Sequence, residues 1–187
     1  MKPRFVLSVV ALAILGLFNG CDFLDNLGQV TFDTELSTAF EINETVVANT
    51  RNYVANQVLD ATANPDIQKY RDRIKDLRIN DVSYKITGYT APAGVPRVDF
   101  SNGRFGFGDA DVNTASVTVS LPTLNLRDLN TTGAETRLPL PDATTLAALL
   151  KTDKRIRVFA EGTLSPTPVR FNLEVKLYVS VTADAVN

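Results

Sequence analysis

The sequence predicts a mainly β protein: an antiparallel β-sandwich, immunoglobulin-like or related, with about eight strands and two short helices in the connections. A small closed β-barrel is the alternative. Three observations carry this prediction. Val169, Phe171, Leu173, Val175, Leu177, Val179 and Val181 alternate with polar residues without a break, the period of a strand with one buried face. Residues 116–121 and 154–161 alternate in the same way, with Val117, Val119 and Leu121 inward in the first and Ile156, Val158 and Ala160 inward in the second. Finally, Val98 and Phe100 precede Ser101-Asn102-Gly103-Arg104, and Phe105 and Phe107 follow. Asn-Gly read as a two-residue type I′ turn predicts a hairpin that places all four apolar side chains on one face.

The remaining elements follow in chain order. Residues 29–34 and 39–47 predict two strands, through Val30 and Phe32 and then Phe40, Ile42, Val46 and Val47. Residues 50–63 are ambiguous: Tyr53, Val54, Val58 and Leu59 fit a helix, while 57–61 fits a strand equally well. Asn64-Pro65-Asp66 is a helix start: Asn caps free N–H groups, Pro suits the first turn, and Asp66 suits the positive end of the dipole. Ile67, Tyr70, Ile74 and Leu77 extend this helix to near Asp76. The period then changes to two, with Leu77 and Ile79 one step out of phase with Val82, Tyr84 and Ile86. An extra residue at Asn80-Asp81, a β-bulge, brings all five to one face. Residues 88–94 read as a loop, and 122–141 as a long connection with Asn130-Thr131-Thr132-Gly133 at its tip. Asp142 caps a short helix carrying Leu146, Leu149 and Leu150, and Ser165-Pro166-Thr167-Pro168 turns the chain. The final strand would run roughly 40 Å at the usual rise per residue. It is expected at the centre of the fold, bending and contributing to both sheets.

The N-terminus is a separate unit. Lys2 and Arg4 precede an apolar run from Phe5 to Phe18, interrupted only by Ser8, and the sole cysteine follows at Cys21. That run is too short to cross a bilayer comfortably, which takes about 20 apolar residues, and has the layout of a secretory signal. In Leu17-Phe18-Asn19-Gly20-Cys21 it resembles a bacterial lipoprotein precursor. Gly20 and Cys21 match that family's box, which is relaxed here by Phe18 and Asn19. The resemblance implies cleavage before Cys21 and diacylation, such as palmitoylation, of its sulfur. It divides the chain into a signal peptide (1–20), a lipidated tether (21–28) and one β-rich domain (29–187). A lone cysteine in an exported chain has no partner for an internal disulfide, and acylation accounts for it.

Composition excludes several function classes. There is no histidine, so Ser-His-Asp and Cys-His catalysis are ruled out. With Cys21 acylated, no His or Cys is left to ligate zinc, haem or an iron–sulfur cluster, and no cofactor is expected. Residues 21–187 carry a net charge of −4, with 17 basic and 21 acidic side chains, which argues against a general nucleic-acid binder.

Candidate chemistry is sparse. Asp109, Asp111 and Asn113 are spaced like the opening of a calcium loop, but Thr114 and Ser120 replace its turn glycine and bidentate Glu. A polar loop is the favoured reading and a weak Ca²⁺ site the alternative. Gly103, Gly106 and Gly108 lack the order and following helix of a dinucleotide motif. Lys151, Lys154, Arg155 and Arg157 read as a solvated face. Glu41 and Glu44 point to opposite faces of a strand and make no acid–base pair. No catalytic residue is assigned. The expectation is a non-enzymatic cell-envelope lipoprotein, periplasm-facing or at the cell surface. It would be held to a membrane through its N-terminal lipid, with a sandwich that binds an envelope protein or glycan or serves structurally. The alternative is a carrier of an apolar small molecule in a barrel cavity, suggested by the inward Phe and Val residues.

Overall fold

A computed structural model of the protein describes residues 28–95 and 97–185. Cys21, the leader and nearly all of the tether lie outside the described residues. Among the described residues nine strands form two antiparallel sheets. The first runs β1 (Gln29–Ala48), β9 (Thr167–Asp184), β3 (Ile74–Thr90), β7 (Thr136–Leu138). The second runs β2 (Arg51–Asp60), β8 (Arg155–Ser165), β4 (Asp99–Asp109), β5 (Val117–Ser120), with β6 (Leu124–Asn125) also on β4. Three helices, α1 (Pro65–Tyr70), α2 (Leu126–Thr132) and α3 (Ala143–Asp153), and a 3₁₀ turn at Ala61–Ala63 lie in the connections. This is the sandwich the alternation predicts. The closed barrel is not formed, because no ladder joins one sheet to the other among the described residues.

β9 is the central strand of the first sheet, flanked by β1 and β3. Its odd-numbered residues from Val169 to Ala183 are all buried, and its even-numbered ones face outward. Each such Val, Leu or Phe contributes about 1.5–3 kcal/mol of burial. The expectation that β9 serves both sheets is corrected: both its partners belong to one sheet, and a strand with one apolar face has one core to fill. β1 joins the two strands expected at 29–34 and 39–47, because Leu36 is buried in phase with Phe40 and Ile42. β2 settles the ambiguity at 50–63 as a strand, since pairing with β8 along its length buries Leu59 and half-buries Tyr53 and Ala55.

Asn64 starts α1 as predicted, its Oδ1 accepting from the N–H groups of Asp66 (3.0 Å) and Ile67 (3.2 Å). The helix ends at Tyr70 rather than near Asp76. Ile74 and Leu77 are taken by β3, opposite Ala183 and Val181 of β9, and tertiary pairing overrides the helical spacing. The bulge falls where the change of phase places it: the register shifts between Ile79 and Asp81, and Leu77, Ile79, Val82, Tyr84 and Ile86 are all buried.

The hairpin at Asn102-Gly103 is not formed. β4 runs straight through, with Phe100 opposite Leu164 and Phe105 opposite Ala160, both on β8. The Asn-Gly pair is instead a bulge that inserts one residue between Ser101 and Arg104, with Asn102 at φ 50°. A bulge and a type I′ turn both need a left-handed residue, and both bring Val98, Phe100, Phe105 and Phe107 to one face. The pattern is the same for either. Gly103 and Gly162 make room for the Phe100 ring: a Cβ on them would lie 2.8 and 2.3 Å from its carbons.

The connection at 122–141 holds β6, α2 and β7. Its supposed tip is the last turn of α2, closed by Gly133 in the left-handed conformation. Asp142 caps α3 through the Thr145 N–H (3.1 Å). Leu126, Leu146 and Leu150 are fully buried. α3 contacts β3, β4 and β8, so it bridges the two sheets. Where β1 turns through Asn49-Thr50 into β2, each strand is the edge of its own sheet.

Candidate functional site

A connected set of polar side chains covers the outer face of the four-stranded sheet. Strand register assembles it from segments far apart in sequence. Ser83 of β3 lies opposite Lys176 of β9, Asp81 opposite Tyr178, and Arg137 of β7 opposite Ser83. Glu35 of β1 lies opposite Tyr178 on its other side. Glu135, just before β7, overhangs this group. Its carboxylate accepts from the Ser83 hydroxyl (2.6 Å) and the Tyr178 hydroxyl, and pairs with Lys176 Nζ at 3.4 Å. Lys176 also donates to Glu35 (3.2 Å). Arg137 pairs with Asp81 at 2.7 Å and lies over the Tyr178 ring, 4.4 Å from its centre, a cation–π contact. Asn80 donates to Ser180, and Ser180 and Asp33 are hydrogen-bonded. Beside these residues is a shallow cleft of about 260 Å³ lined by Asp33, Glu35, Asn80, Asp81, Arg137 and Tyr178.

The electrostatics of this group run in one sense. Hydrogen bonds from Ser83 and Tyr178 hold the Glu135 carboxyl below its ordinary range. The hydrogen bond to Glu35 and the nearby Glu135 raise the Lys176 ammonium. The hydrogen bond to Glu135, with some burial, raises Tyr178. At neutral pH these are a fixed carboxylate, a fixed ammonium and a neutral phenol. Acid–base catalysis needs groups tuned toward the working pH, and here each is moved away from it. The arrangement can present charges and donors in a set geometry; it is poorly suited to moving a proton.

The residues singled out from sequence are placed differently. Asp109 Oδ1 accepts from the Asp111 N–H (2.7 Å) in a local turn, and the Asp111 carboxylate faces Arg155 at 3.6 Å. Among the described residues no three Asp, Glu, His or Cys side chains come together as a metal site. Arg157 of the basic cluster is turned into structure, donating to the Ala110 carbonyl and to Asn56 Oδ1. Lys154 closes α3 with its ammonium lowered by burial and by Lys151. Glu41 pairs with Arg170 (2.7 Å) and Glu44 with Arg51 (3.2 Å), so the two acids serve separate ion pairs. Gly106 and Gly108 lie under the 110–116 loop, where a Cβ would meet Ala115 at 2.7 Å and the Thr114 carbonyl at 2.3 Å. The large buried rings Phe40, Phe100, Phe105, Phe107 and Phe171 fill the core, and none of them lines the surface clefts described, the larger of which are about 410 and 420 Å³. No described helix is long and apolar enough to cross a membrane.

No protein-family model matches the chain, and no curated protein matches it. Among solved structures it is similar to that of Desmodium yellow mottle tymovirus, at 9% identity and a TM-score of 0.40 over 85% of this chain and 89% of that one. It is also similar to the decameric BFDV capsid protein, at 15% identity and a TM-score of 0.44 over 82% and 99%. Cocksfoot mottle virus follows at 12% identity and a TM-score of 0.33 over 84% and 85%. Likeness at these values carries no inference about what this chain does.

The network around Glu135 had no signature in the sequence. Its members come from β1, β3, β9 and the approach to β7, and only register brings them together. The one available signal was the run of polar outward positions Glu174, Lys176, Tyr178 and Ser180 on a strand whose other face is wholly apolar.

Proposed function

We propose that this chain is a cell-envelope lipoprotein, anchored by acyl chains on Cys21, whose sandwich is a non-catalytic binding or structural domain. Its membrane contact would be the lipid, and its partner an envelope protein or glycan. The single observation that favours this reading is the Glu135 group, with its charges locked by mutual hydrogen bonds on an accessible sheet face. That suits recognition of a partner carrying complementary polar groups. The anchor reading rests on the Gly20-Cys21 box and fits the geometry of the start of the domain. β1 begins at Gln29, and the stretch from Cys21 to Gln29 reaches at most about 29 Å when extended. The sandwich would therefore be held close to the bilayer surface.

Metabolic labelling with palmitate tests the anchor. Label is expected in the wild-type chain and absent in Cys21→Ser; an unlabelled wild type removes it. Pull-down from detergent-solubilised envelope tests the binding face, with loss of the captured partner expected for Asp81→Ala/Arg137→Ala. Unchanged capture moves the binding site elsewhere on the domain.

A further inference from the structure

The two strands that meet at the Asn49-Thr50 turn are both sheet edges, and they are defended differently. β1 carries Asp33, Glu35 and Glu41 along its outward positions. An added strand there would meet charge, the usual protection of an edge. β2 has no charge and no proline between Arg51 and Asp60, and among the described residues it pairs only with β8. Its outward side chains include Val54, 70% exposed, and Val58, 45% exposed.

The outward row of β2 is self-complementary. Asn52, Val54, Asn56, Val58 and Asp60 form a nearly symmetric row about Asn56, with Asn at one end and Asp at the other. An antiparallel copy of the strand, set with Asn56 opposite itself, places Val54 against Val58 twice over. On the inner side it places Tyr53 against Leu59. Asn52 then faces Asp60. Asn52 Oδ1 already accepts from Thr163 (3.2 Å), and Asn56 Oδ1 from Arg157 (2.8 Å). Each keeps its amide N–H₂ to donate across the pair, Asn52 to the Asp60 carboxylate.

We infer that β2 is a homodimerisation edge, joining the second sheets of two copies into one continuous antiparallel sheet about a two-fold axis at Asn56. The inference stands apart from the anchor and from the Glu135 face. It commits to a second copy of this chain as the occupant.

Cysteine cross-linking on the full-length chain in mild detergent, in a Cys21→Ser background, tests it directly. Opposed residues in an antiparallel pair have Cα atoms about 4.5–5.5 Å apart, within the span of about 4.4–6.8 Å that a disulfide accepts. Asn56→Cys should therefore give covalent dimer on mild oxidation, at least tenfold more than Val54→Cys, whose two copies would sit four residues apart, about 13 Å. Sedimentation should show a dimer for the parent and a monomer for Val54→Lys/Val58→Lys, with circular dichroism confirming that the variant is folded. A parent that is monomeric throughout, equal cross-linking at positions 54 and 56, or a dimer that survives the double lysine variant overturns the proposal.

Discussion

The two outer faces of this sandwich solve one problem in opposite ways. On the four-stranded sheet, the outward residues of β9 are wrapped in ion pairs and hydrogen bonds, and Ser83 is completely buried beneath them. On the second sheet, the outward Phe159 is only 6% exposed, over Gly106 and against the 110–116 loop. The first face is specified by polar satisfaction alone, whereas the second adds close packing on glycine to polar contacts such as Arg104 with Glu161. Polar networks fix geometry with modest net energy, whereas buried aromatic area supplies most of the stability. The face suited to recognition need not be the one that holds the fold together.

Four measurements bear on this contrast. Phe159→Ala should have the largest effect, about 3–5 kcal/mol lost in urea unfolding, as expected for a buried ring replaced by a cavity. A loss similar to that of an exposed residue would end the claim that this face is held by packing. Glu135→Ala leaves the buried Ser83 hydroxyl without its acceptor and should cost about 1–3 kcal/mol, with Ser83→Ala/Glu135→Ala recovering part of it. If the double variant is no more stable than Glu135→Ala, the hydroxyl was not the source of the cost.

The polar face should contribute a pH dependence of its own. The Glu135 carboxyl is depressed in the folded state, so its stabilisation is present above the ordinary carboxylate pKa and is lost as pH falls through the lower folded value. Lys176 and Tyr178 are raised, so theirs is present below their ordinary values and is lost as pH rises through the higher folded ones. Urea midpoints measured against pH should show a plateau around neutrality that falls at both ends, and Glu135→Gln should flatten the acid limb. An acid limb unchanged in that variant would place its origin at other carboxylates. Arg170→Ala should do least, about 0–1 kcal/mol, because its pair with Glu41 has both side chains more than half exposed. A larger loss by thermal melt would mean that surface pairs on this sheet are coupled.

Much of the fold was legible because the longest apolar run, Val169 to Val181 of β9, keeps strict alternation. The change of phase between Ile79 and Val82 predicted a bulge, and Asn64 predicted a helix start, each by a mechanism confined to a few residues. Where two structures meet the same local requirement, the sequence could not choose. Asn102-Gly103 suits a turn and a bulge alike, and only the presence of β8 as a partner decides. Ile74 and Leu77 suited a helix until β9 claimed them. In α2, the helix-ending role of Gly133 was hidden because the neighbouring Asn and Thr residues also read as a loop. The Glu135 group was least legible of all, since it depends on long-range register between β1, β3, β7 and β9. The mirror-like order of Asn52 to Asp60 was in plain sight, but it acquires meaning only once that stretch is known to be an uncovered edge.

β1 leads away from Gln29 for 20 residues, and β2 comes back for only 10. Edge-to-edge union in opposite directions would point the two Gln29 ends away from each other. A pair built that way from two acylated chains would not stand side by side on one leaflet. It would form a strut, with one foot in each of two facing layers.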